Sequence, residues 1–304
     1  MELSIIILNY NGERFIDRCC AELLKHLPEI ESEVILLDNH SVDKSVEIVE
    51  ERYTKIKVIR CNKNFGVAEG RNIAAQIAKG RYLLFLDHDT FIKENTIQKM
   101  LNTFQIPNVG VVGCKLINEN GSIQPSAKRF PRLSREIFTA FMLNRIFKNS
   151  KLSYVVETDK ISDVDWVSEA CMMIRKDLFF LVGKFDSRFF YGAEGADLCY
   201  RIIKAGFRVI YTPEAEAIHV AFGSNMQVTS EAYSNPLKAR IEFFRKHYPD
   251  VNIKFLKFVI FIQILNELFL WCVYYLIKPE NRIRARIALK ERMMRLQDLV
   301  RGRL

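Results

Sequence analysis

Over the first ninety residues the chain alternates short apolar runs with helical patterns, and most of those runs end on polar side chains. Residues 3–8 lead to a helical pattern around 15–24, residues 34–37 to 46–53, and residues 57–60 to 68–78. A fourth run, 82–86, ends at Asp87-His88-Asp89. Near-continuous apolar strands of this length, alternating with helices, predict a parallel sheet covered on both faces. Such a sheet binds its ligands beyond the carboxyl ends of its strands. Asn9-Tyr10-Asn11, Asp38-Asn39 and the acidic triplet all fall there.

The sheet is expected to continue through 109–114, followed by a hairpin turn at Asn118-Glu119-Asn120-Gly121. Residues 131–165 are less regular and read as an excursion over the site. Order returns at 166–174, with a short helix from Lys176, a helix over 197–205, and a pair of strands at 209–212 and 216–219. Seven cysteines, none in a C-x-x-C pair, argue against a zinc knuckle or a disulfide framework and suggest a reducing compartment. The run 3–8 is too short for a signal peptide and has no basic segment before it, so a cytosolic strand is expected there.

The net charge of +9 is concentrated at one end. From Lys278 onward nine Lys or Arg face three acids, a surplus of six. The preceding segment, 258–277, is almost wholly apolar and long enough to cross a bilayer. It carries Gln263, Asn266 and Glu267 on one helical face near its middle, which is costly in a membrane interior. Three placements stay open: in the membrane surface with the basic helix 282–299 on anionic headgroups, packed on protein as a core helix or homodimer contact, or a true span. The lipid-like neighbour and the lack of an aromatic-basic platform speak against nucleic-acid binding.

Two carboxylates at the carboxyl edge of a sheet suit a hard divalent cation, and such a cation bridges the phosphates of a nucleoside diphosphate. Two turn acids after a strand also occur without a ligand, but here Phe85-Leu86 fixes their position. Asp38, ending the second strand, is placed to accept hydrogen bonds from a base or ribose, with Ser41 or Asp43 the better cap for the next helix. Asn64, Gly66 and Arg71 belong to a turn and the helix after it. The glycine lets backbone approach a ligand, and the arginine is within reach of a base or phosphate. Glu194 and Asp197 lie three apart on one helical face, where a carboxylate can take a proton from an attacking hydroxyl. Helix-start acids favoured by the dipole are the alternative. His219 is a candidate third metal ligand.

These pieces, in this order, resemble the family-two glycosyltransferases of GT-A fold, especially the bacterial rhamnosyltransferase-like branch. The matching stretches begin at Ser4 and run through Leu37–Asp43, Asn64-Phe65-Gly66, Asp87-His88-Asp89, Val164–Cys171, Phe185–Phe190, Asp197–Arg201 and His219. The resemblance implies an α/β fold, a Rossmann-like and mostly parallel central sheet with helices on both faces, plus a C-terminal amphipathic helical extension. It divides the chain into a catalytic domain, 1–225, with a donor half of about 1–115 and an acceptor-side half of about 116–225, and a basic helical region, 226–304. It implies that Asn9, Asn11, Asp38, Asn64, Gly66 and Arg71 lie along the nucleotide, with Asp87 on ribose or metal. Asp89 would be the main ligand of Mg or Mn, His219 a metal or diphosphate contact, and Trp166 a neighbour of the sugar and acceptor. The implied partners are a nucleoside-diphosphate sugar, a glycan or lipid-linked acceptor, and an anionic membrane surface met through 258–304 on the cytoplasmic side. The implied reaction inverts the anomeric carbon.

One departure stands out. The family pattern near the base is Glu-Asp-x-Asp, whose second position commonly supplies the base, whereas this chain reads Glu194-Gly195-Ala196-Asp197. Glu194, or else Asp197, would then carry the proton, with Glu194 favoured because its side chain is longer. The alternative is a relative that binds a nucleotide sugar or a partner without turnover. A nucleotidyltransferase is disfavoured by the single glycine in Asn9–Glu13.

Overall fold

The structure, a computed structural model, describes residues 1–147, 150–220 and 230–304. It forms two compact units, Met1–Phe130 with Val155–Met226, and Pro131–Tyr154 with Gln227–Leu304.

In the first unit the strands Ile56–Arg60, Ser32–Asp38, Leu3–Asn9 and Tyr82–Asp87 lie side by side, all parallel. Cys171–Arg175 follows, antiparallel to both its neighbours, then Val109–Ile117, Arg208–His219 and the edge strand Thr90–Ile92. One face packs Ile5, Ile7, Leu84 and Leu86 against Ile16, Cys19, Cys20 and Leu23 of the helix Ile16–Lys25. On the other face Phe85 meets Phe179 at 5.4 Å and Phe185 at 5.1 Å between ring centroids. Because both faces are covered, the strands carry no polar alternation, and each buried Leu, Ile or Phe contributes about 1.5–3 kcal/mol.

The α/β sheet is the expected one, with differences of detail. Residues 208–219 form one long strand, Arg208–His219, rather than two. It shifts register between Thr212 and Glu216, around Pro213, which has no N–H for the ladder. The helix expected at 197–205 begins at Glu194, entered through Gly192 at φ 89° and Ala193 at φ 64°. The hairpin forms as expected: Gly121 has φ 80°, and Leu116 pairs with Gln124.

Residues 131–165 divide between the units, and 131–154 contain the helices Leu133–Ala140 and Leu143–Ile146. The second unit is therefore not simply 226–304. Leu133 packs on a cluster of Leu237, Ile241, Phe244, Leu256, Ile260 and Ile264. Glu136 pairs with Arg240 at 3.2 Å, and the carbonyl of Ala140 accepts from Asn266 at 2.8 Å.

The 25-residue helix Ile253–Ile277 is capped by Asn252, whose side chain accepts from the amides of Lys254 and Phe255. Among the described residues it is the one helix long and apolar enough to cross a membrane. Its polar stripe is turned to protein. Gln263 accepts from Arg240 at 3.4 Å and donates to Glu267 at 2.9 Å, and Glu267 pairs with Arg292 at 3.1 Å. The opposite side leaves Phe269 67% and Leu276 71% exposed.

Candidate active site

Parallel pairing sets Asn9 beside Asp38 and Leu8 beside Asp87, so three strands end at one level. At that edge Asp87, Asp89 and His219 each offer a ligand atom, all within 4.8 Å of one another. The grouping follows from register, because His219 pairs with Thr90 and the carbonyl of Asp89 accepts from the amide of Val220 at 3.0 Å. Nε2 of His219 lies 3.5 Å from Asp89 Oδ1.

The other ring nitrogen of His219 is fixed by Gln124, on the short strand after the hairpin. The Gln124 amide nitrogen donates to Asn118 Oδ1 and to the carbonyl of His219, so its oxygen faces Nδ1 at 2.8 Å. Nδ1 therefore carries a hydrogen, and Nε2 is the ring nitrogen turned toward the aspartates. An outer partner that fixes the tautomer in this way is usual for a metal-ligating histidine. Two carboxylates and an imidazole nitrogen are a donor set of the kind that suits a divalent cation.

Arg71 lies at the bottom of the site and is 2% exposed. Its Nη2 donates to Asp87 Oδ1 at 2.7 Å and reaches the carbonyl of Glu169 at 3.4 Å, while Nη1 is 3.7 Å from Glu194 Oε1. The guanidinium that the sequence sets within reach of a base or phosphate is here a buried counter-charge of the acidic site, aligning Asp87 through one oxygen.

Other residues expected along the nucleotide also brace the loops. Asn9 is fully buried, and its Nδ2 lies within hydrogen-bond reach of Asp38, Ser41 and Ser45. Asp38 also accepts from the amide of Ser41, and Asp43 accepts from that of Ser45 at the start of the next helix. Asn11, at φ 51°, accepts from the amide of Val42 and donates its own amide to Ser41. Asn64 closes its turn through Asn39 and the amide of Gly66. Gly66, at φ 81°, does permit a close approach, but the group that approaches is Phe190, whose ring and carbonyl would lie 2.6 and 2.7 Å from an added Cβ. Trp166 donates from Nε1 to the carbonyl of Arg129, and Lys128 lies over its ring at 4.3 Å.

Of the two candidate bases, Asp197 is fully buried and paired with Arg201 at 2.6 Å, which commits it to the helix. Glu194 faces the site beside Arg71. Burial first, and then the neighbouring Glu169, push its carboxyl up to about 8, with Arg71 opposing. Burial likewise raises Glu169, again against Arg71. Oε1 of Glu169 and Oε2 of Glu194 are buried with no hydrogen-bond partner among the described residues. Glu169 is not among the residues that the sequence motifs single out, although an acid in the otherwise mostly uncharged stretch before Cys171–Arg175 is a visible signal.

Two aspartates and a histidine thus meet at the strand-end edge of an α/β sheet. Residues 4–176, more than half of the chain, match Glycosyl transferase family 2, and the chain belongs to that family. It is similar to the N-acetylglucosaminyl-diphospho-decaprenol L-rhamnosyltransferase of Mycobacterium tuberculosis, at 26% identity over 71% of this chain and 75% of the relative, which places it with the rhamnosyltransferase-like branch. The structure resembles the mannosyltransferase PcManGT from Pyrobaculum calidifontis in complex with GDP-Man and Mn2+, with TM-score 0.61 and 14% identity over 97% of this chain and 87% of that one. It also resembles GalNAc-T7 with UDP, GalNAc and Mn2+, with TM-score 0.61 and 18% identity over 82% of this chain. This chain spans about half of that longer protein, 49%. These likenesses establish the GT-A fold.

Proposed function

We propose that this glycosyltransferase moves a sugar from a nucleoside-diphosphate sugar to a hydroxyl of a glycan or lipid-linked acceptor, inverting the anomeric carbon, in cell-surface polysaccharide synthesis. The observation that carries this reading is the convergence of Asp87, Asp89 and His219 at the level edge of the sheet. A divalent cation held there would offset the charge that builds on a departing diphosphate. The chain's own part is to hold Asp87 through Arg71, to fix the His219 tautomer through Gln124, and to place a carboxylate where an acceptor hydroxyl enters.

The test is nucleoside diphosphate release from a panel of UDP-, GDP- and dTDP-sugars with Mn2+, with and without polyprenyl-diphosphate acceptors. Release from at least one donor, stimulated by an acceptor and abolished by EDTA, is the expected result. Binding of a donor without release would instead support a nucleotide-sugar-binding relative, the reading that Gly195 favours.

We also infer attachment to an anionic membrane surface, on the inner face of the cell membrane. Phe258, Leu265, Phe269 and Leu276 are exposed on one side of Ile253–Ile277, at spacings that keep them within a narrow arc of the helix. Arg282, Arg284 and Arg286 follow, also exposed, each supplying about 1 kcal/mol on an anionic surface. Replacing Phe269 and Leu276 together by Asp is expected to lower binding to phosphatidylglycerol vesicles at least about tenfold. Unchanged vesicle binding with a loss of self-association would assign the face to a second copy.

A further inference from the structure

We propose that Glu169 is the catalytic base, supplying the carboxylate that the segment Glu194-Gly195-Ala196-Asp197 lacks. The inference rests on the glycosyl-transfer reading above. It starts from Gly195, which lies in the first turn of the helix Glu194–Lys204 and is not among the glycines with positive φ. Nothing in the backbone demands a glycine there, and a helical glycine is less favourable than alanine by up to about 1 kcal/mol. The reason is space. A Cβ built on Gly195 would lie 1.6 Å from Oε1 of Glu169, 2.2 Å from its Cδ and 2.6 Å from its Cγ.

The carboxylate of Glu169 thus occupies the volume into which a side chain at 195 would project. Oε1 stands about one carbon–carbon bond length from that Cβ, roughly where the carboxyl carbon of an aspartate at 195 would be. One acid has been given up at 195 and another delivered to the same place from a different segment, the loop before Cys171–Arg175. That loop is tied to the site, because the carbonyl of Ala170 accepts from the amide of Asp87 at 3.1 Å and the carbonyl of Glu169 faces Arg71.

Glu194 and Asp197 are engaged otherwise. Asp197 is bound to Arg201, and Glu194 lies against Arg71 as part of its charge balance. Two carboxylates so close do not both ionise freely. Burial raises both carboxyls, and with Glu194 Oε1 held 3.7 Å from Arg71 it is Glu169, whose Oε1 has no hydrogen-bond partner among the described residues, that is placed to receive a proton.

In the step itself the O–H bond of the acceptor breaks and its proton passes to Glu169. The oxygen lone pair forms the bond to the anomeric carbon, and the bond from that carbon to the diphosphate oxygen breaks, its electron pair leaving on the diphosphate. Glu169 then returns the proton to solvent.

Four variants test this: Glu169→Gln, Glu169→Ala, Gly195→Asp, and the exchange Glu169→Ala with Gly195→Asp. Calorimetry with UDP, GDP and dTDP in Mn2+ is expected to give wild-type binding for Glu169→Gln, while its acceptor-stimulated release falls about a hundredfold or more. The exchange is expected to regain at least about tenfold over Glu169→Ala, and to melt above Gly195→Asp alone, where the two side chains collide. Release by Glu169→Gln within about threefold of wild type overturns the inference and leaves the glycosyl-transfer reading standing. An exchange that folds like wild type but stays as slow as Glu169→Ala overturns it too. If wild type releases nucleoside diphosphate from no donor, the functional reading falls first and this one falls with it.

Discussion

Replacing Asp89 by Ala is expected to remove Mn2+-dependent binding of nucleoside diphosphate and to lower sugar transfer by about three orders of magnitude, with the fold intact. Asp89 is buried, 6% exposed, at the point where the fourth strand's exit loop returns as the edge strand Thr90–Ile92. It faces His219 in the Asp87–Asp89–His219 grouping, and Asp87 divides its carboxylate between that grouping and Arg71. Removal of Asp89 leaves His219 and Asp87, too few protein donors to hold a weakly binding divalent cation before substrate arrives. The loss appears as a missing heat of Mn2+ binding with UDP, GDP or dTDP present, alongside an unchanged melting temperature. Asp89→Asn keeps the shape and loses the charge, and it is expected to fall on the Ala side. Nucleotide binding and transfer within about threefold of wild type would rule out the Asp87–Asp89–His219 site.

Much of this site was legible in the sequence because its parts are local. The carboxyl ends of apolar runs place Asn9, Asp38, Asp87 and Asp89 on one edge before any pairing is known, since a parallel sheet aligns strand ends. His219 was legible as a candidate third ligand at a strand end, but its neighbour was not. What brings it to Asp89 is the pairing of Arg208–His219 with Thr90–Ile92, a contact between residues far apart in sequence. The central position of Cys171–Arg175 was not legible, because a five-residue apolar run carries no signal of its neighbours or its direction. The roles of the polar groups were the least legible. An Asn after a strand is compatible with a ligand contact or a loop brace, and burial, which decides for bracing at Asn9, is a property of the packed chain. Glycines mislead in the same way. Gly66 and Gly195 each make room for a protein group, Phe190 and Glu169, supplied more than twenty residues away in sequence.

Replacing Arg71 by Met is expected to be the most damaging change to the fold at this site, and the damage should depend on pH. The guanidinium is the buried cation set among Asp87, Glu194 and Glu169, and desolvation alone would lower its own affinity for a proton, were it not for those three acids. Removing one partner of a buried charge cluster costs about 3–5 kcal/mol, because the remaining charges lose their compensation. Methionine fills most of the volume, which isolates the electrostatic part. Glu194 and Glu169 both stand above their ordinary range in the folded chain. The folded state therefore binds their protons more tightly than the unfolded chain does. That contribution is fully present below the ordinary carboxylate range and is lost as pH rises toward about 8, the folded value of Glu194. Without Arg71 the repulsion among the carboxylates grows, so the pH-dependent loss steepens in the variant. Melting at pH 5.5 and pH 8.0 (about two and a half units apart) should show a larger deficit relative to wild type at the higher pH. Arg71→Lys, which keeps the charge but loses the fork that reaches Asp87 and Glu194 together, should fall between the two. A deficit equal at both pH values would mean that Arg71 stabilises the site by packing, and that the three carboxylates do not share it as a counter-charge.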